Sequence, residues 1–331
     1  MGEFDLIEHF FVRPPRAGGA VALGPGDDCA LLQPAPGMQL AISSDLLVDG
    51  RHFLSTVEPE RLGHKSLAVN LSDLAACGAR PIAFTLALAL PRVEESWLAG
   101  FSRGMFALAD AHGCELIGGD TTRGPLTICI TVFGEVPAGQ ALLRSGARAG
   151  DDVWVSGHLG DARLALEIFR GTINAPAEVF ALARERMERP TPRVALGQAL
   201  RGVATSAVDV SDGLAGDLGH ILARSKVGAT LDLSVAPNLL ATNDLWTSDE
   251  GHFYANNRIE CVFSGGDDYE LAFTAPAERR DAVHKASEAS GTRVTRIGRI
   301  ESVAGLRFVD AAGAPVELRL NSFDHFKSGD N

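Results

Sequence analysis

Aspartates that accompany glycine or serine are the residues of this sequence best suited to chemistry. They fall at the predicted ends of strands or helices. Glycine lets the backbone approach a ligand closely, and a short carboxylate beside it points away from the framework. The six motifs are Gly26-Asp27-Asp28, Ser43-Ser44-Asp45, Asn70-Leu71-Ser72-Asp73, Gly118-Gly119-Asp120, Asp209-Val210-Ser211-Asp212-Gly213 and Gly265-Gly266-Asp267-Asp268.

Carboxylates that converge on one place need positive charge between them. Two like charges ~4 Å apart repel by about 4 kcal/mol at an effective dielectric constant near 20. Such a cluster persists only with bound cations or with strongly shifted pKa values. Carboxylates without histidine or cysteine at ligand spacing favour Mg²⁺, Mn²⁺ or Ca²⁺ over Zn²⁺. Because Mg²⁺ usually shares its coordination shell with substrate phosphates, scattered single aspartates indicate a metal–polyphosphate site.

Each motif also has a plain structural explanation. An aspartate after glycine most often forms a turn or caps a helix. Asp73 lies inside a predicted helix, on the same face as Asn70, and there it is either a ligand or part of a solvated face. Asp209 and Asp212 flank a predicted helix start, where Ser211 or Asp212 could cap exposed N–H groups. Turns and caps alone, or a non-enzymatic calcium-binding module, therefore stay open as alternatives.

The common phosphate-binding motifs are absent from the sequence. It contains no GxxxxGK[ST] loop, no GxGxxG turn, no HRDxxxxN segment and no EF-hand loop. Only four residues are lysines, so nearly all positive charge is arginine. An acidic protein that handles polyphosphate without these devices must bring in positive charge as metal ions.

The composition limits the class of protein. At roughly 150 residues per domain, 331 residues suggest two domains. A content of 46% hydrophobic and 22% charged residues is globular and excludes disordered, collagenous and coiled-coil proteins. The net charge of −12 argues against binding to nucleic acid or to an anionic membrane. The longest apolar run, 82–90, is too short to cross a bilayer, and the acidic first residues do not predict a signal peptide.

Five scattered cysteines without CxxC spacing predict reduced thiols in a cytoplasmic protein. Most of them are expected to pack in the core. Cys29 follows an acidic motif, but the apolar residues after it, 30–32, are typical of strand core. We therefore expect Cys29 to be a packing residue and not a nucleophile.

Alternating strand-like and helix-like segments predict an α/β fold, with mixed sheets and helices packed on them. Helices with apolar stripes are predicted at 58–77 and 94–112, ended by Gly78 and Gly113. Gly118-Gly119-Asp120 is predicted to be a turn between strands. The strands predicted in this half are 39–43, 85–90, 115–117 and 126–136.

A stretch rich in Gly, Ala and Arg between Val136 and Asp151 predicts the domain boundary. The expected domains are residues 1–140 and 151–331. The second half repeats the same alternation of elements. Its predicted strands are 153–156, 207–210, 230–233, 259–263, 270–274 and 293–300, with helices from 161, at 211–223 and at 281–290, and a hairpin at 306–318.

Taken in order, these motifs resemble the thiamine-monophosphate kinase family, from about Phe4 to Phe326. Single motifs are weak signals, whereas the ordered set is specific. The family belongs to a larger aminoimidazole-ribonucleotide-synthetase-like group of ATP-binding proteins. The segments that carry the resemblance are GPGDDCALL, AISSDLLVDGRHF, KSLAVNLSDLAACGARP, LIGGDTTRGPL, VDVSDGLAGDLGHI, SGGDDYELAFT and NSFDHF.

The resemblance implies ATP-dependent phosphorylation of thiamine monophosphate to thiamine diphosphate, assisted by several Mg²⁺ ions. It implies that domain 1–140 binds ATP and Mg²⁺ and pairs with its twin in a homodimer. Domain 151–331 would close over nucleotide and substrate. With no evident nucleophile–base pair, direct in-line transfer without a phospho-enzyme is the hypothesis. Another ATP-dependent synthetase of the same group is the closest alternative, although no Cys or Lys precedes Asp27 to suit a selenophosphate synthetase.

The resemblance also assigns residues to roles. The magnesium ligands it implies are Asp28, Asp45, Asp73, Asp120, Asp209 and Asp212. The nucleotide-contacting positions are Ser43, Ser44, Gly119, Arg144 and Ser211. The substrate-side positions are His52, Asp267, Leu320 and Phe323.

Two of these positions depart from the family pattern, and others have plain readings. Asp267 stands where the family commonly has a longer glutamate. Leu320 stands where an aromatic residue often packs on the vitamin ring, and Phe323 is the nearest aromatic that could compensate. From the residues alone, Arg144 is equally a solvated linker charge, His52 a packing or surface residue, and Leu320 and Phe323 core residues.

Overall fold

The computed structural model describes residues 2–14, 16, 18–246, 255–318 and 320. The chain divides into two compact units, Met1–Ala141 and Leu142–Asn331. Each unit combines a mixed β-sheet with packed helices, which confirms the predicted two-domain α/β class. Among the helices in the described ranges, none is long and apolar enough to cross a membrane.

The N-terminal unit is built on a four-stranded sheet. Strand β3 pairs antiparallel with β6, β6 pairs antiparallel with β4, and β4 pairs parallel with the edge strand β5. Its described elements are α1 (Glu3–Phe10), β1 (Val21–Leu23), β2 (Leu31–Leu32), β3 (Met38–Val48), α2 (Pro59–Ala76), β4 (Arg80–Leu90), α3 (Glu95–His112), β5 (Glu115–Arg123) and β6 (Thr127–Pro137).

Helix α2 packs against β3, β4 and β6, and α3 packs against α2. The two helices approach so closely that a Cβ atom on Gly63 would lie 1.9 Å from the Phe101 carbonyl oxygen. A Cβ on Gly104 would lie 1.8 Å from that of Glu60. Both predicted helices are confirmed, and α3 ends at Gly113 in the left-handed conformation with φ of 64°. Only glycine permits this backbone-to-backbone contact.

Strand β3 is longer than predicted and carries an exposed apolar row. Alternate side chains of a strand point to opposite faces of the sheet. Leu47 faces α2 and is buried, whereas Ile42 is 60% exposed and Leu46 53% exposed. We call Met38, Leu40, Ile42 and Leu46 the apolar row of β3. An edge strand with such a row is a ready surface for another sheet or chain.

The predicted turn at Gly118-Gly119-Asp120 is wrong, because β5 continues through these residues to Arg123. Ile117 forms a bulge, after which Gly119 pairs with Leu86. A Cβ atom on Gly119 would lie 1.8 Å from the Leu86 carbonyl oxygen, so the glycine serves close strand pairing. Glycines that permit tight pairing have the same sequence signal as glycines in turns.

The prediction that Cys29 packs in a strand core is also wrong, because Cys29 is exposed. Strands β1 and β2 form a small two-stranded sheet, and it buries one side only. Ala30 and Leu32 pack against the larger sheet, whereas Leu31 is 56% exposed. The alternation of the strand therefore carries Cys29 and Leu31 outward.

The C-terminal unit contains a seven-stranded sheet of order β13-β12-β9-β11-β7-β10-β8, antiparallel except where β12 joins β9. All residues of β7, β8 and β10 are buried, so both faces of this part of the sheet are covered. The described elements are β7 (Asp152–Ser156), α4 (Asp161–Phe169), α5 (Ala177–Glu188), α6 (Val194–Ala199), β8 (Ser206–Val210), α7 (Leu214–Ser225), β9 (Gly228–Asp232), α8 (Ala236–Leu239), α9 (Ala255–Ser264), β10 (Glu270–Ala275), α10 (Arg280–Ser290), β11 (Val294–Glu301), β12 (Gly305–Val309) and β13 (Pro315–Val316), with short 3₁₀ turns at Leu233–Val235, Asn243–Leu245 and Ala277–Arg279.

Two predictions for this unit are corrected. Residues 259–263 are not a strand but the buried end of α9, because a short apolar run has no periodicity that separates strand from helix. The helix predicted at 211–223 begins only at Leu214. Residues 211–213 form a loop that leads from β8 into α7, so Asp212 precedes the helix and is not part of it.

The close contact between α2 and α3 predicts a large effect of one added methyl group. Gly104→Ala is expected to lower the free energy of unfolding by about 1–3 kcal/mol, because the helices must separate to admit Cβ. Gly219→Ala is the matched control: Gly219 lies within α7 with open space around its missing Cβ, so alanine should stabilise by about 0.5–1 kcal/mol. Thermal unfolding followed by circular dichroism measures both. Equal effects of the two substitutions would contradict the packing described.

Candidate active site

The predicted ligands Asp45 and Asp73 come from β3 and α2, which hydrogen bonds join directly. The Ser43 hydroxyl donates to Asp73 Oδ2 at 2.5 Å. The Asp45 backbone N–H donates to Asn70 Oδ1 at 3.1 Å, and Asn70 Nδ2 donates to the Ser66 carbonyl at 3.0 Å. We call these five residues the β3–α2 cluster. A spacing of two along β3 and spacings of three to four along α2 put these residues on one face of each element, and the two faces contact each other.

Asn70 joins the two elements of this cluster, although the sequence suggested no role of its own for it. Its side chain is only 1% exposed and spans the gap between the two elements. Its amide satisfies a backbone donor of β3 and a carbonyl of α2, so it sets the distance between Asp45 and the helix that carries Asp73. The shared helix face of Asn70 and Asp73 was the sequence signal for this arrangement.

Ser44 and Asp120 lie elsewhere on the same sheet. The Ser44 hydroxyl is on the face opposite Ser43, where it contacts Thr131 Oγ1 at 2.9 Å. Asp120 is exposed on β5. Pairing runs from Asp45 through Ile130 and Leu86 to Gly119, so β3 and β5 are opposite edges of the sheet. Three strand spacings separate them by ~14 Å, and one ion cannot join Asp45 and Asp120 of the same chain.

Asp28 and His52 have contrasting surroundings. Asp28 is exposed in the segment between β1 and β2, and its N–H donates to Asp27 Oδ1 at 2.9 Å. His52 is half-buried, and its Nδ1 accepts the Val48 backbone N–H at 3.0 Å. A ring nitrogen that accepts a hydrogen bond carries no proton, so this contact selects the tautomer with hydrogen on Nε2. The remaining nucleotide position in this unit, Gly119, is exposed.

In the C-terminal unit, Asp209 is the penultimate residue of the buried strand β8, and Asp212 lies in the loop after it. Asp217 of α7 holds this loop: its Oδ2 accepts the N–H groups of Ser211, Asp212 and Gly213 at 3.0–3.1 Å. The expected capping by Ser211 or Asp212 is wrong, because Gly213 is the N-cap residue of α7 and no side chain caps it. Burial and the charge of Asp212 raise the pKa of Asp217 to about 7.

The segment Gly265–Tyr269 packs against the same loop. The Asp267 N–H donates to the Ser211 carbonyl at 2.7 Å, and the Tyr269 N–H donates to Val210 at 2.9 Å. A Cβ on Gly266 would lie 2.2 Å from the Ser211 carbonyl oxygen. The backbone thus brings the predicted metal residue Asp212 and the predicted substrate residue Asp267 into adjoining loops, next to the end of β8 that carries Asp209.

Two acidic residues near Asp267 were given no role by sequence reasoning. Asp268 is 4% exposed, and its two oxygens lie 3.0 and 2.9 Å from the Gly160 N–H that they accept. Burial raises the pKa of Asp268 well above its ordinary value. Glu270 is 1% exposed and accepts hydrogen bonds from Ser156, Arg186 and Arg193. The only available signal was that Asp268 belongs to the acidic motif at 265–268 and that Glu270 follows it two residues later.

The remaining predicted site residues are Arg144, Leu320 and Phe323, and the structure describes few contacts for the first two. Arg144 is exposed, and its carbonyl accepts a bond from Ser225 Oγ at 3.4 Å. Leu320 is half-buried. Phe323 lies outside the described residues, so its proposed contact with the vitamin ring stays a prediction.

The donor set of the predicted metal residues fits Mg²⁺, because it consists of hard carboxylate oxygens. In the ranges given above for the structure, no group of three or more His, Cys, Asp or Glu side chains stands together to hold a metal ion. Mg²⁺ tolerates such sparse protein ligation, since it keeps several waters and binds substrate phosphates. The metal assignments remain predictions.

Comparison with known proteins identifies the class. Residues 26–136 match the family model of the AIR synthase related protein N-terminal domain, and residues 148–311 match that of its C-terminal domain. The two α/β units and their acidic loops are therefore those of an AIR synthase related protein. Within this class, the chain belongs to the thiamine-monophosphate kinase family, which confirms the resemblance found in its motifs.

The relatives match over nearly the full chain. The thiamine-monophosphate kinase of Salmonella typhimurium is 45% identical over 327 residues, which cover 98% of both proteins. The crystal structure of the enzyme from Stenotrophomonas maltophilia K279a is 48% identical, with a TM-score of 0.80 over 88% of this chain and 92% of that one. AaThiL, complexed with AMPPCP and TMP, is 30% identical, with a TM-score of 0.74 over 88% and 89%.

The β3–α2 cluster predicts that Asn70 is needed for stability. Asn70→Ala should lower the free energy of unfolding by about 1–3 kcal/mol, because it leaves the Asp45 N–H and the Ser66 carbonyl without the amide. Gln39→Ala is the control from the same strand, an exposed amide whose Oε1 accepts the Gly139 N–H at 3.3 Å. It should change stability by less than about 0.5 kcal/mol. Urea denaturation distinguishes the two variants. An unchanged free energy of unfolding in Asn70→Ala would show that the Asn70 hydrogen bonds between β3 and α2 contribute nothing to stability.

Proposed function

We propose that this chain transfers the terminal phosphoryl group of ATP to thiamine monophosphate, giving thiamine diphosphate and ADP. The observation that carries the proposal is the match to curated thiamine-monophosphate kinases along 98% of the chain. The free cysteines in the described residues are consistent with the cytoplasmic location that we infer for this reaction.

The chemistry needs charge compensation more than proton transfer. A phosphate oxygen of thiamine monophosphate forms the new P–O bond, and the bond between the γ-phosphorus and the β,γ-bridging oxygen of ATP breaks. The attacking oxygen is already anionic, so no general base is required. When bound, Mg²⁺ supplies positive charge to the phosphates. Asp28, Asp45, Asp73, Asp120, Asp209 and Asp212 would hold it.

The contribution of the chain is to hold these carboxylates in place. Ser43 orients Asp73, Asn70 orients the backbone at Asp45, and Asp217 holds the loop of Asp212. Residues supported in this way lose little freedom when substrates bind, which favours transfer by positioning and electrostatics. Direct in-line transfer is therefore proposed, and rapid-quench analysis should find no phosphorylated protein during turnover.

Removal of one supported carboxylate should stop turnover without unfolding the protein. Asp73→Asn is expected to lower kcat by about 10²-fold or more, because a charge that stabilises the transition state is lost. The amide still accepts from Ser43, so the thermal unfolding temperature should stay near that of the wild type. Asp110→Asn is the control, an exposed carboxylate that pairs with Arg13 and Arg16. A coupled ATP plus thiamine monophosphate assay with equal rates for both variants would contradict the metal role of Asp73.

The same proposal includes a homodimer formed through the N-terminal unit. The apolar row of β3 leaves Met38, Leu40, Ile42 and Leu46 between 37% and 60% exposed. A second copy of the N-terminal unit would cover this row in such a dimer. Asp45 and Asp120 lie on opposite edges of one sheet and are too far apart to share an ion. We infer that β3 of one chain lies beside β5 of its partner, so that Asp45 of each chain meets the partner's Asp120.

Complementation tests this shared site. Asp45→Asn and Asp120→Asn should each be inactive, while their mixed dimers regain one intact site. Random mixing makes half of the dimers mixed, so about one-quarter of wild-type activity should return. Asp45→Asn mixed with Asp73→Asn is the control, since both lie in the β3–α2 cluster of one chain and should not complement. Failure of the first pair to complement, with dimers present, would show that each chain forms its site alone.

A further inference from the structure

Two residues in the segment before β10 adopt a backbone conformation that side chains disfavour. Asp267 has a φ of 69° and Tyr269 a φ of 53°. Left-handed conformations are uncommon outside glycine and are unusual for a bulky aromatic residue. Such strain persists only where the surroundings hold the backbone, and it concentrates at functional sites. Asp268 lies between the two strained residues.

Hydrogen bonds hold this segment on two sides. On one side, the N–H groups of Asp267 and Tyr269 donate to Ser211 and Val210. On the other, the Asp268 carboxyl accepts the Gly160 N–H with both oxygens near 3 Å. Gly160 immediately precedes α4, and a Cβ there would lie 2.8 Å from the Cys261 backbone, so this anchor cannot shift toward α9. Asp268 is thus the side chain that ties the strained segment to α4.

Asp268 itself is too deeply buried to bind a substrate, because only 4% of it is exposed. Asp267 beside it is half-buried and keeps access to solvent. Glu270, two residues after Asp268, is held by Arg186 and Arg193 at the start of β10, which fixes the other end of the segment. The buried Asp268 carboxyl can therefore affect a ligand only through the position of Asp267, and not by direct contact.

We propose that Asp268 is a positioning residue for thiamine monophosphate: its carboxyl, bonded to Gly160, holds the strained segment so that Asp267 is presented to the substrate. The inference rests on the proposed function. It predicts a defect confined to the acceptor substrate, because the contacts of Asp268 determine the conformation of Asp267 and not the contacts of ATP. A role in stability alone would instead leave the KM for thiamine monophosphate unchanged in the folded variant.

The test compares Asp268→Ala with two other variants. Asp268→Ala should raise the KM for thiamine monophosphate by about tenfold, the equivalent of one lost hydrogen bond, with the KM for ATP within about twofold. Asp268→Asn keeps an oxygen for the Gly160 N–H and should stay within about twofold of wild type for both substrates. Asp151→Ala is the matched control, a carboxyl 4% exposed that accepts from Thr205 and Arg148 at the opposite end of β7. It should lower the thermal unfolding temperature with both KM values unchanged.

Amide hydrogen exchange gives a readout that does not need turnover. Asp268→Ala should speed exchange at the amides of Asp267 and Tyr269, while Asp151→Ala should not. Asp268→Ser, too short to reach Gly160, replaces the alanine variant should that fail to fold. Unchanged exchange in the segment, or an equal rise in both KM values, would overturn the inference. If the wild-type protein has no kinase activity, accelerated exchange in Asp268→Ala would show that Asp268 holds the segment and would reject the proposed function instead.

Discussion

Repulsion between negative charges is the constraint on which the rest of this structure depends. An acidic chain that handles two phosphate substrates must bring its own carboxylates close to polyphosphate, although like charges at contact distance repel by several kcal/mol. The fold meets this constraint with neutral donors. Ser43 donates to Asp73, and three consecutive backbone N–H groups donate to Asp217. These bonds set the geometry of Asp73 and of the loop of Asp212 before any ligand arrives.

The supporting residues come from contacts between elements and not from the loops themselves. Asn70 joins a helix to an edge strand, and Asp217 joins the first turn of α7 to the loop before it. The Ser211 carbonyl then accepts the Asp267 backbone N–H, so the acidic motif at 209–213 supports the acidic motif at 265–268. In each unit the catalytic proposal therefore depends on packing, because a shift of α2 or α7 would displace the carboxylates that those helices hold in register.

Particular residues show which features of the structure could be predicted from the sequence and which could not. The helices α2 and α3 were predictable, because their apolar spacing and their terminal glycines agree. The turn predicted at Gly118–Asp120 and the strand at 259–263 were wrong, since glycine also permits tight strand pairing and a short apolar run fits both periods. The family was predictable from the ordered motifs, whereas the metal-binding roles of the six aspartates stay predictions. Asn70, Asp217 and Asp268 were not assigned, because their roles depend on contacts with residues of other elements or loops.

The central claim is that the six aspartates gather divalent ions around the phosphates of the nucleotide. A crystal structure with Mn²⁺ and a non-hydrolysable ATP analogue tests it most directly, because Mn²⁺ replaces Mg²⁺ and its anomalous scattering locates each ion independently of the model phases. The account predicts anomalous peaks that are bonded both to analogue phosphates and to oxygens of Asp28, Asp45, Asp73, Asp120, Asp209 and Asp212. A bound analogue whose peaks are contacted by none of these carboxylates would contradict it.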